Sequence, residues 1–135
     1  MYPKELFSLL ADDTRFRLLM LLQEEGELCV CELEVALAKI QPKISRHLAI
    51  LRNAGIVMTR RDANRVFYRL LSPMPEWIKQ IMETASARVL EDATMVEEMH
   101  RLQVMPNRPQ CSEAASTGQT HGSTDRFCSA VKKSA

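Results

Sequence analysis

The sequence predicts a mainly α-helical fold that carries one small β-hairpin. Three observations lead to this fold class. Apolar residues recur at helical spacing through the N-terminal part of the chain and again from about residue 76. Between these stretches, two short segments alternate apolar and polar side chains on either side of a turn. With 135 residues, 46% of them hydrophobic, the chain has the length and composition of a single globular domain.

Capping residues set the limits of the first two predicted helices. The first helix covers about residues 4–11 and has apolar side chains on one face. The second follows Asp12, whose carboxylate is suited to accept the free N–H groups of a first turn. It ends near Gly26, because glycine adopts the left-handed conformation that closes many helices.

Two further helices follow in close succession. The third begins with Cys29 as its N-cap and continues to about Leu37, and Glu32 occupies position N3 of a capping box. The fourth has Pro42 in its first turn and ends at Gly55. Its core-facing residues repeat at helical spacing and are Ile44, Leu48 and Leu51.

The predicted hairpin has strands at residues 56–60 and 65–70, joined by a turn at residues 62–64 that contains Asp and Asn. The second strand alternates in character along its length. One face is apolar and consists of Val66, Tyr68 and Leu70. The other face carries two arginines and consists of Arg65, Phe67 and Arg69.

A single long helix is predicted for residues 76–103, which completes a domain of residues 1–103. Its apolar stripe consists of Ile78, Ile81, Met82, Ala85, Val89, Val96 and Met99. So long a helix extends beyond a small core, so we expect a homodimer formed through the first and last helices. Residues 104–135 are rich in Ser, Thr, Gly, Gln and Pro, and we predict a disordered tail.

Positive charge is concentrated in one part of a nearly neutral chain. The formal net charge is +1, which by itself argues against binding to a polyanion. Residues 41–70, however, hold seven basic side chains and one acid, Asp62, for a local charge of +6. The remaining residues therefore sum to −5. The excess lies on the fourth helix and the hairpin, where it favours DNA binding over a merely solvated face.

The order of the predicted elements is that of a winged helix-turn-helix. Three helices are followed by a fourth with polar residues at its N-terminal end, and then by a basic hairpin. The fourth helix is then the recognition helix, whose first turns meet base edges in the major groove of double-stranded operator DNA. The hairpin arginines are suited to phosphate contacts or the minor groove. His47 lies at the edge of the buried face, where core packing and DNA contact are equally acceptable interpretations. The predicted DNA-binding residues are Gln41, Lys43, Ser45, Arg46, His47, Arg52, Arg60, Arg61 and Arg65.

Four cysteines are too few for a secreted disulfide scaffold and are not spaced as in a zinc ribbon. The N-terminus does not resemble a signal peptide, and the longest apolar run is five residues. We therefore predict a cytoplasmic protein without a membrane partner, whose thiols stay reduced. Cys29 and Cys31 are candidate metal or metalloid ligands, although two small half-buried apolar residues are the simpler interpretation.

Three segments give the chain a family resemblance. Residues 27–33, ELCVCEL, resemble the cysteine box of the ArsR/SmtB family of metal-responsive repressors. Residues 41–52, QPKISRHLAILR, resemble its recognition helix, and residues 66–70 resemble its wing. Within the family, the combination is most similar to the arsenic-responsive repressors of arsenical-resistance operons. The resemblance implies a homodimer that binds operator DNA and leaves it when As(III) or Sb(III) binds Cys29 and Cys31, with no other cofactor required.

The third ligand of the trivalent ion is open. Some arsenic-responsive relatives have a third cysteine where this chain has Glu34. Because As(III) prefers three thiolates, the third ligand is Cys111 or Cys128 of the tail, a solvent molecule or none. Cadmium- and lead-sensing relatives have further cysteines near the N-terminus, which this chain lacks before Cys29. Zinc-sensing relatives have paired Asp and His ligands on the long helix, which here has no second histidine.

Elementary geometry suggests how the ion acts on DNA binding. The N-terminus of a helix lowers the pKa of a thiol, whereas Glu32 and Glu34 oppose that effect. Side chains two residues apart on a regular helix point about 200° from each other. We therefore expect that the first turn of the third helix unwinds when both sulfurs bind one ion, which displaces the recognition helix.

Other classes of protein fit less well. The chain has no glycine-rich phosphate loop, HExxH motif or nucleophile elbow, so we predict that it is not an enzyme. One alternative is a winged-helix repressor whose thiols sense oxidants. Another is a winged helix used only for contacts with proteins.

Overall fold

The computed structural model describes residues 1–109 and confirms a mainly α-helical fold with a small antiparallel sheet. The helices are α1 Pro3–Leu10, α2 Asp13–Glu25, α3 Val30–Leu37, α4 Gln41–Ala54, α5 Glu76–Val89 and α6 Ala93–Gln103. The strands are β1 Glu27–Cys29, β2 Val57–Asp62 and β3 Arg65–Leu70.

The predicted helix ends in the N-terminal half are confirmed. The Asp12 carboxylate accepts the Arg15 N–H at 3.0 Å and caps α2. That bond holds the pKa of Asp12 below its usual range. Gly26 and Gly55 follow α2 and α4 with φ of 89° and 86°, which a side chain with a Cβ atom rarely adopts.

The sheet contains one strand more than the sequence predicted. Its order is β1-β3-β2, with both pairings antiparallel. β1 has only three residues, too few for the alternation of a strand to be recognisable in the sequence. The hairpin turn is also shorter than expected, because Asp62 pairs with Arg65 and leaves only Ala63 and Asn64 between the strands.

The hydrophobic core surrounds α2. Five successive apolar side chains of this helix, residues 18–22, are buried on every side by neighbouring elements. α4 packs against α2 with the predicted residues, and Ile44, Leu48 and Leu51 are all fully buried. This packing leaves the opposite face of α4 toward solvent.

The predicted single helix over residues 76–103 is wrong, since α5 ends at Val89 and α6 begins at Ala93. Asp92 caps the new helix by accepting the Met95 N–H at 3.4 Å. The break lets α6 fold back onto α3, where Leu102 is fully buried and Arg101 donates to the Ala36 carbonyl at 2.8 Å. The apolar stripe did not reveal the break, because Val89 and Val96 are seven residues apart in the sequence. That spacing corresponds to about two turns of an uninterrupted helix.

The segment after α6 also packs on the domain. Arg108 forms ion pairs with Glu25 and Glu32, and Pro109 is buried. Residues 104–109, which the sequence assigned to the predicted tail, thus include contacts with the domain, and residues 110–135 lie outside the described residues. Within the described part of the chain, no helix has both the length and the apolar character needed to cross a membrane.

Candidate functional site

Cys29 and Cys31 lie where β1 meets α3. Cys29 ends the strand and is the N-cap of the helix, with φ −89° and ψ 168°. Its backbone N–H donates to Glu32 Oε1 at 3.0 Å, so the predicted capping box is present. The strand β1 therefore ends at Cys29, the helix α3 begins directly after it, and both elements hold its thiol in place.

The two thiols are close enough for Cys31 to raise the pKa of Cys29. The expected angle of about 200° assumed that both residues lie in a regular helix, whereas Cys29 has an extended backbone and only Cys31 lies within the helix. The unwinding of the first turn on ion binding stays a prediction. Cys29 is only 2% exposed, whereas Cys31 is half-buried and is reached by solvent.

Burial dominates the acidity of Cys29. It raises the pKa of the thiol from 9.0 to about 12, and the neighbouring Cys31 thiol adds to the increase. The Glu32 N–H lowers this pKa, but the charge of the Glu32 carboxylate raises it again. The effect of burial on the pKa is thus larger than the predicted lowering by the helix N-terminus. Cys29 is a neutral thiol at physiological pH.

Glu32 also belongs to a buried ion cluster that the sequence did not predict. Its Oε2 accepts Arg108 Nε at 2.6 Å, and Arg108 reaches Glu25 Oε1 at 3.1 Å. The paired interactions with both carboxylates raise the pKa of Arg108 despite the opposing effect of burial. Arg108 lies 76 residues after Glu32, so no local spacing connects them.

The predicted DNA-binding residues of α4 form an exposed basic surface. Gln41, Lys43, Arg46 and Arg52 are exposed, and Ser45 is half-buried among them. The first turn of the helix holds no acidic residue. Side chains in the first turns of such a helix are placed to read base edges, Arg at guanine and Gln at adenine.

His47 is buried, with only 7% of its surface exposed, on the inner side of α4. Its Nδ1 lies 3.8 Å from the Asp12 carboxylate at the start of α2. Burial lowers the pKa of the imidazole, and the charge of Asp12 only partly opposes this. The packing interpretation of His47 therefore fits its surroundings better than DNA contact.

The three predicted arginines of the hairpin have different environments. Arg61 and Arg65 are exposed near its tip. Arg60 instead donates from Nε to both oxygens of the buried Glu27 at 3.1 and 3.2 Å, and it lies 5.1 Å above the centre of the Phe67 ring. Phe67 shares the predicted arginine face, yet it is buried because Arg60 and Cys29 flank it across the sheet.

The two tail cysteines considered as a third ligand, Cys111 and Cys128, lie outside the described residues. Among residues 1–109, no three or more His, Cys, Asp or Glu side chains are grouped so that they could hold a metal ion. Glu34, which stands where some relatives have a third cysteine, is half-buried.

Comparison with known proteins places this site in a family. Residues 12–59 match the bacterial regulatory proteins of the arsR family. The chain is 48% identical over 101 residues to the arsenic resistance transcriptional regulator ArsR1 of Pseudomonas putida, covering 72% of this chain and 79% of the relative. The chain belongs to the arsR family.

Two further similarities agree with this membership. The arsenical resistance operon repressor of Escherichia coli is 49% identical over 83 residues, which cover 62% of this chain and 71% of that one. The crystal structure of the AntR antimony-specific transcriptional repressor superposes with a TM-score of 0.55 and 32% identity, covering 65% and 77% of the two chains. As a member of the arsR family, the chain is a helix-turn-helix transcription regulator and not an enzyme.

Proposed function

We propose that this arsR-family chain is a metalloid-responsive repressor. As a homodimer it binds double-stranded operator DNA, and it dissociates when As(III) or Sb(III) binds Cys29 and Cys31. The observation that carries this proposal is the pair of neighbouring free thiols at the junction of β1 and α3. The names of the relatives, which concern arsenic resistance and antimony, support the choice of ion.

For DNA binding, we assign the major groove to α4 and the flanking phosphates to the hairpin. Arg46 and Gln41 are exposed in the first turns of α4 and are suited to base contacts. Arg61 and Arg65 supply the charge that fixes the position of the hairpin on the DNA backbone. We give Arg60 a supporting role, because its guanidinium is bonded to Glu27.

For the inducer, soft thiolate ligands suit a trivalent metalloid. Cys31 is the accessible sulfur and Cys29 the buried one. We therefore expect the ion to bind Cys31 first and then to form its second bond with Cys29. Reduced thiols require a cytoplasmic location, which we propose together with the absence of a membrane partner. The third ligand is Cys111, Cys128, a solvent molecule or none.

The sheet offers a direct route from the thiols to the DNA-binding elements. Cys29 pairs with Phe67 of β3, the returning strand of the hairpin, and α3 packs against α4. A shift of β1 caused by ion binding therefore moves both the hairpin and the recognition helix. Release of DNA from 99% bound to 1% bound requires about 5.5 kcal/mol of differential affinity, and we assign this to the new bonds to sulfur.

For the homodimer, we propose a surface formed by α1 and α5. Tyr2 and Phe7 are large exposed apolar side chains at and within α1. α5 carries a half-buried apolar row that includes Trp77 and Ile81. α6 is not assigned to this surface, because its apolar side chains Met95 and Leu102 are already buried within the same chain.

The test is fluorescence anisotropy of the full chain on its own upstream DNA, titrated with arsenite, antimonite, cadmium and peroxide. We expect arsenite and antimonite to release the DNA. Cys29→Ser and Cys31→Ser should each bind the DNA as the wild type does but fail to release it with arsenite. The matched control is Ala93→Ser, which introduces the same serine side chain at an exposed position of α6 and should respond to arsenite as the wild type does.

Each other outcome contradicts the proposal in a different way. Release by peroxide and not by arsenite would identify a thiol redox sensor. Absent or salt-insensitive DNA binding would identify a protein-contact module, since phosphate contacts make affinity fall steeply with salt. A normal arsenite response in either cysteine variant would show that the inducer site lies elsewhere.

A further inference from the structure

Arg108 joins the two ends of the segment that carries both thiols. This segment, residues 26–31, contains β1 and connects α2 to α3, and we call it the cysteine segment. Glu25 is the last residue of α2 and Glu32 lies in the first turn of α3, so their carboxylates flank it. Arg108 Nη2 lies 3.1 Å from Glu25 Oε1, and Arg108 Nε lies 2.6 Å from Glu32 Oε2. One guanidinium group therefore spans the cysteine segment from end to end.

The carboxylate of Glu32 transmits this constraint to Cys29. Its Oε1 accepts the Cys29 N–H at 3.0 Å, while its Oε2 is held by Arg108. Because both oxygens are engaged, Glu32 cannot turn away from either partner without losing a buried hydrogen bond. The backbone of Cys29 is thus fixed on one side by its pairing with Phe67 and on the other by a carboxylate that Arg108 holds.

The ion pairs of Arg108 with Glu25 and Glu32, which we call the clamp, are buried. The side chains of these three residues are 12%, 5% and 2% exposed. Water therefore screens the clamp less than it screens an ion pair at the surface. Loss of the cation would leave two buried carboxylates without it, which is costly in a protein interior.

Other contacts hold the C-terminal helix in place without the clamp. Leu102 of α6 is fully buried in the core, and Arg17 of α2 pairs with Glu98 at 3.2 Å. Arg101 donates to the carbonyl of Ala36, near the far end of α3 from the thiols. A substitution of Arg108 should therefore act on the cysteine segment while α6 stays packed, and Arg101 provides a control on the same helix.

We propose that Arg108 is a positioning residue that clamps the cysteine segment, keeps Cys29 buried and opposes the displacement that the inducer causes. This inference rests on the proposed function, in which ion binding shifts β1. Such a shift has to stretch or break the clamp, so the clamp sets how much inducer is needed to release the DNA. A weaker clamp lowers the cost of the displaced state, which raises affinity for the ion and lowers affinity for DNA.

The first test measures the burial of Cys29 without any ion. It uses the full chain carrying Cys31→Ser, in which Cys29 is the single cysteine of residues 1–110 and peptide mass spectrometry follows its reaction with iodoacetamide. Adding Arg108→Gln should raise the alkylation rate of Cys29 about tenfold or more, since loss of charge-assisted hydrogen bonds eases local opening by such a factor. The matched control, Arg101→Gln, should change this rate less than about twofold, because its contact lies outside the cysteine segment.

The sign of the change separates positioning from electrostatics. Removal of a cation near a thiol disfavours the thiolate, which by itself slows alkylation. Faster alkylation in Arg108→Gln therefore reports greater access to Cys29, whereas an unchanged or slower rate would overturn the proposal. An equal increase in Arg101→Gln would also overturn it, because a general loosening of α6 would then explain both results.

Glu25→Gln opens the clamp from its other end and should also raise the alkylation rate. The double variant with Arg108→Gln removes the cation together with one buried carboxylate, so it leaves less unpaired buried charge and remains measurable if Arg108→Gln alone fails to fold. In this double-mutant cycle the double variant should react no faster than the faster of the single variants, because either substitution breaks the clamp. Additive increases would show that the two residues act separately and would overturn the clamp.

The second test measures the inducer threshold in the chain with all four cysteines. In anisotropy on the upstream DNA, Arg108→Gln should release the DNA at an arsenite concentration about fivefold or more below that of the wild type, since the two affinities are coupled. Arg101→Gln should release it at the wild-type concentration, and an unchanged or higher threshold in Arg108→Gln would overturn the link between clamp and inducer. Failure of the proposed function is a separate result, because arsenite would then not release DNA from the wild type, while the alkylation rates would still show whether Arg108 clamps Cys29.

Discussion

Cys29 has the pKa of a deeply buried thiol, about 12, although it caps a helix. At pH 8 about one Cys29 in ten thousand is ionised, against about one in ten for a thiol of pKa 9.0. The N–H groups at a helix start act on a thiol that water barely reaches, and loss of hydration has the larger effect. Cys29 is therefore a neutral thiol in the proposed inducer site before an ion binds.

We predict that Cys29 is alkylated slowly in the folded chain. In a variant that keeps only Cys29, iodoacetamide at pH 8 should react at least about 100-fold more slowly than in the same chain unfolded by guanidinium, because the thiolate fraction is far lower. The control is the variant that keeps only Cys31, which is half-buried and should lose less reactivity on folding. Equal protection of the two cysteines in a mass-spectrometric time course would contradict the prediction.

We also predict that His47 makes the fold sensitive to mild acid. Burial lowers the pKa of His47 in the folded chain. Below about pH 6.5, His47 therefore binds a proton in the unfolded chain but not yet in the folded one. Stability present above that pH is therefore lost as pH falls toward the folded-state pKa. In urea unfolding at pH 7.5 and 5.5, His47→Gln should lose less free energy of unfolding between the two conditions than the wild type.

The matched control for His47 is His100→Gln, which alters an exposed histidine of α6. It should keep the wild-type dependence on pH. If His100→Gln reduced the dependence and His47→Gln did not, His47 would not be the group responsible.

At the scale of elements, the hairpin depends on a strand that local patterns did not predict. β1 pairs with β3, and its Glu27 anchors Arg60 of β2 across the sheet. The hairpin is thus tied to the cysteine segment by backbone pairing and by an ion pair. Arg61, one residue further along β2, lies on the other side of the strand and is exposed.

Substitution of the two adjacent arginines of β2 should therefore affect different properties, DNA binding for Arg61 and stability for Arg60. Arg61→Ala should weaken operator binding and reduce the slope of log affinity against log salt by about 1, as expected for a lost phosphate contact. Arg60→Ala should instead lower the free energy of unfolding by about 1–3 kcal/mol, because it leaves the buried Glu27 carboxylate without its donor.

Anisotropy over a salt series and chemical denaturation of both variants check this pair of outcomes. The two variants serve as controls for each other, because they remove the same charge from the same strand. A salt slope reduced equally in both would show that Arg60 also contacts DNA.

The division of the C-terminal helical region also belongs to this scale. The sequence pattern placed Val96 on the apolar stripe of one long helix, yet 55% of its surface is exposed on α6. The turn before Asp92 changes the direction of the chain, and it places Leu102 rather than Val96 against the core. Ion pairs of Arg17 with Asp92 and Glu98 hold the start of α6 against α2.

For the whole molecule, the distribution of charge matters more than its sum. The net charge of +1 combines a local +6 over residues 41–70 with −5 elsewhere. The buried acids Glu25, Glu27 and Glu32 account for part of that negative charge, and they pair with Arg60 and Arg108 within the fold. A nearly neutral molecule has little general attraction to DNA, so we expect its affinity to depend on the exposed arginines of α4 and the hairpin.

We predict that the proposed homodimer depends on Phe7. Phe7 and Val96 are both apolar and both 55% exposed, but Phe7 lies on α1 and Val96 on α6. Phe7→Glu places a charge in the proposed α1–α5 surface, so it should shift the chain toward monomer. A monomer contacts only one half of the operator, so its affinity should fall about tenfold or more. Sedimentation velocity and anisotropy measure the two effects.

Val96→Glu is the matched control, because it adds the same charge at an equally exposed apolar position. It should remain dimeric and bind the operator normally. Dissociation of Val96→Glu with an intact Phe7→Glu dimer would move the interface from α1 to α6.

The sequence by itself determined the features that arise within one or two turns of chain. The caps at Asp12 and Cys29, the glycine ends of α2 and α4, and the buried face of α4 all follow from spacings of a few residues. The same holds for the concentration of positive charge and for the candidate ligands Cys29 and Cys31. Such features depend on local hydrogen bonds and periodicity, which a linear sequence displays.

Only the tertiary structure decided which distant groups meet. Glu27 and Arg60 are 33 residues apart, and Glu32 and Arg108 are 76 apart. The high pKa of Cys29 likewise comes from burial by elements that no local spacing reveals. Desolvation and ion pairing depend on which surfaces come together, and that is a property of the packed fold rather than of neighbouring residues.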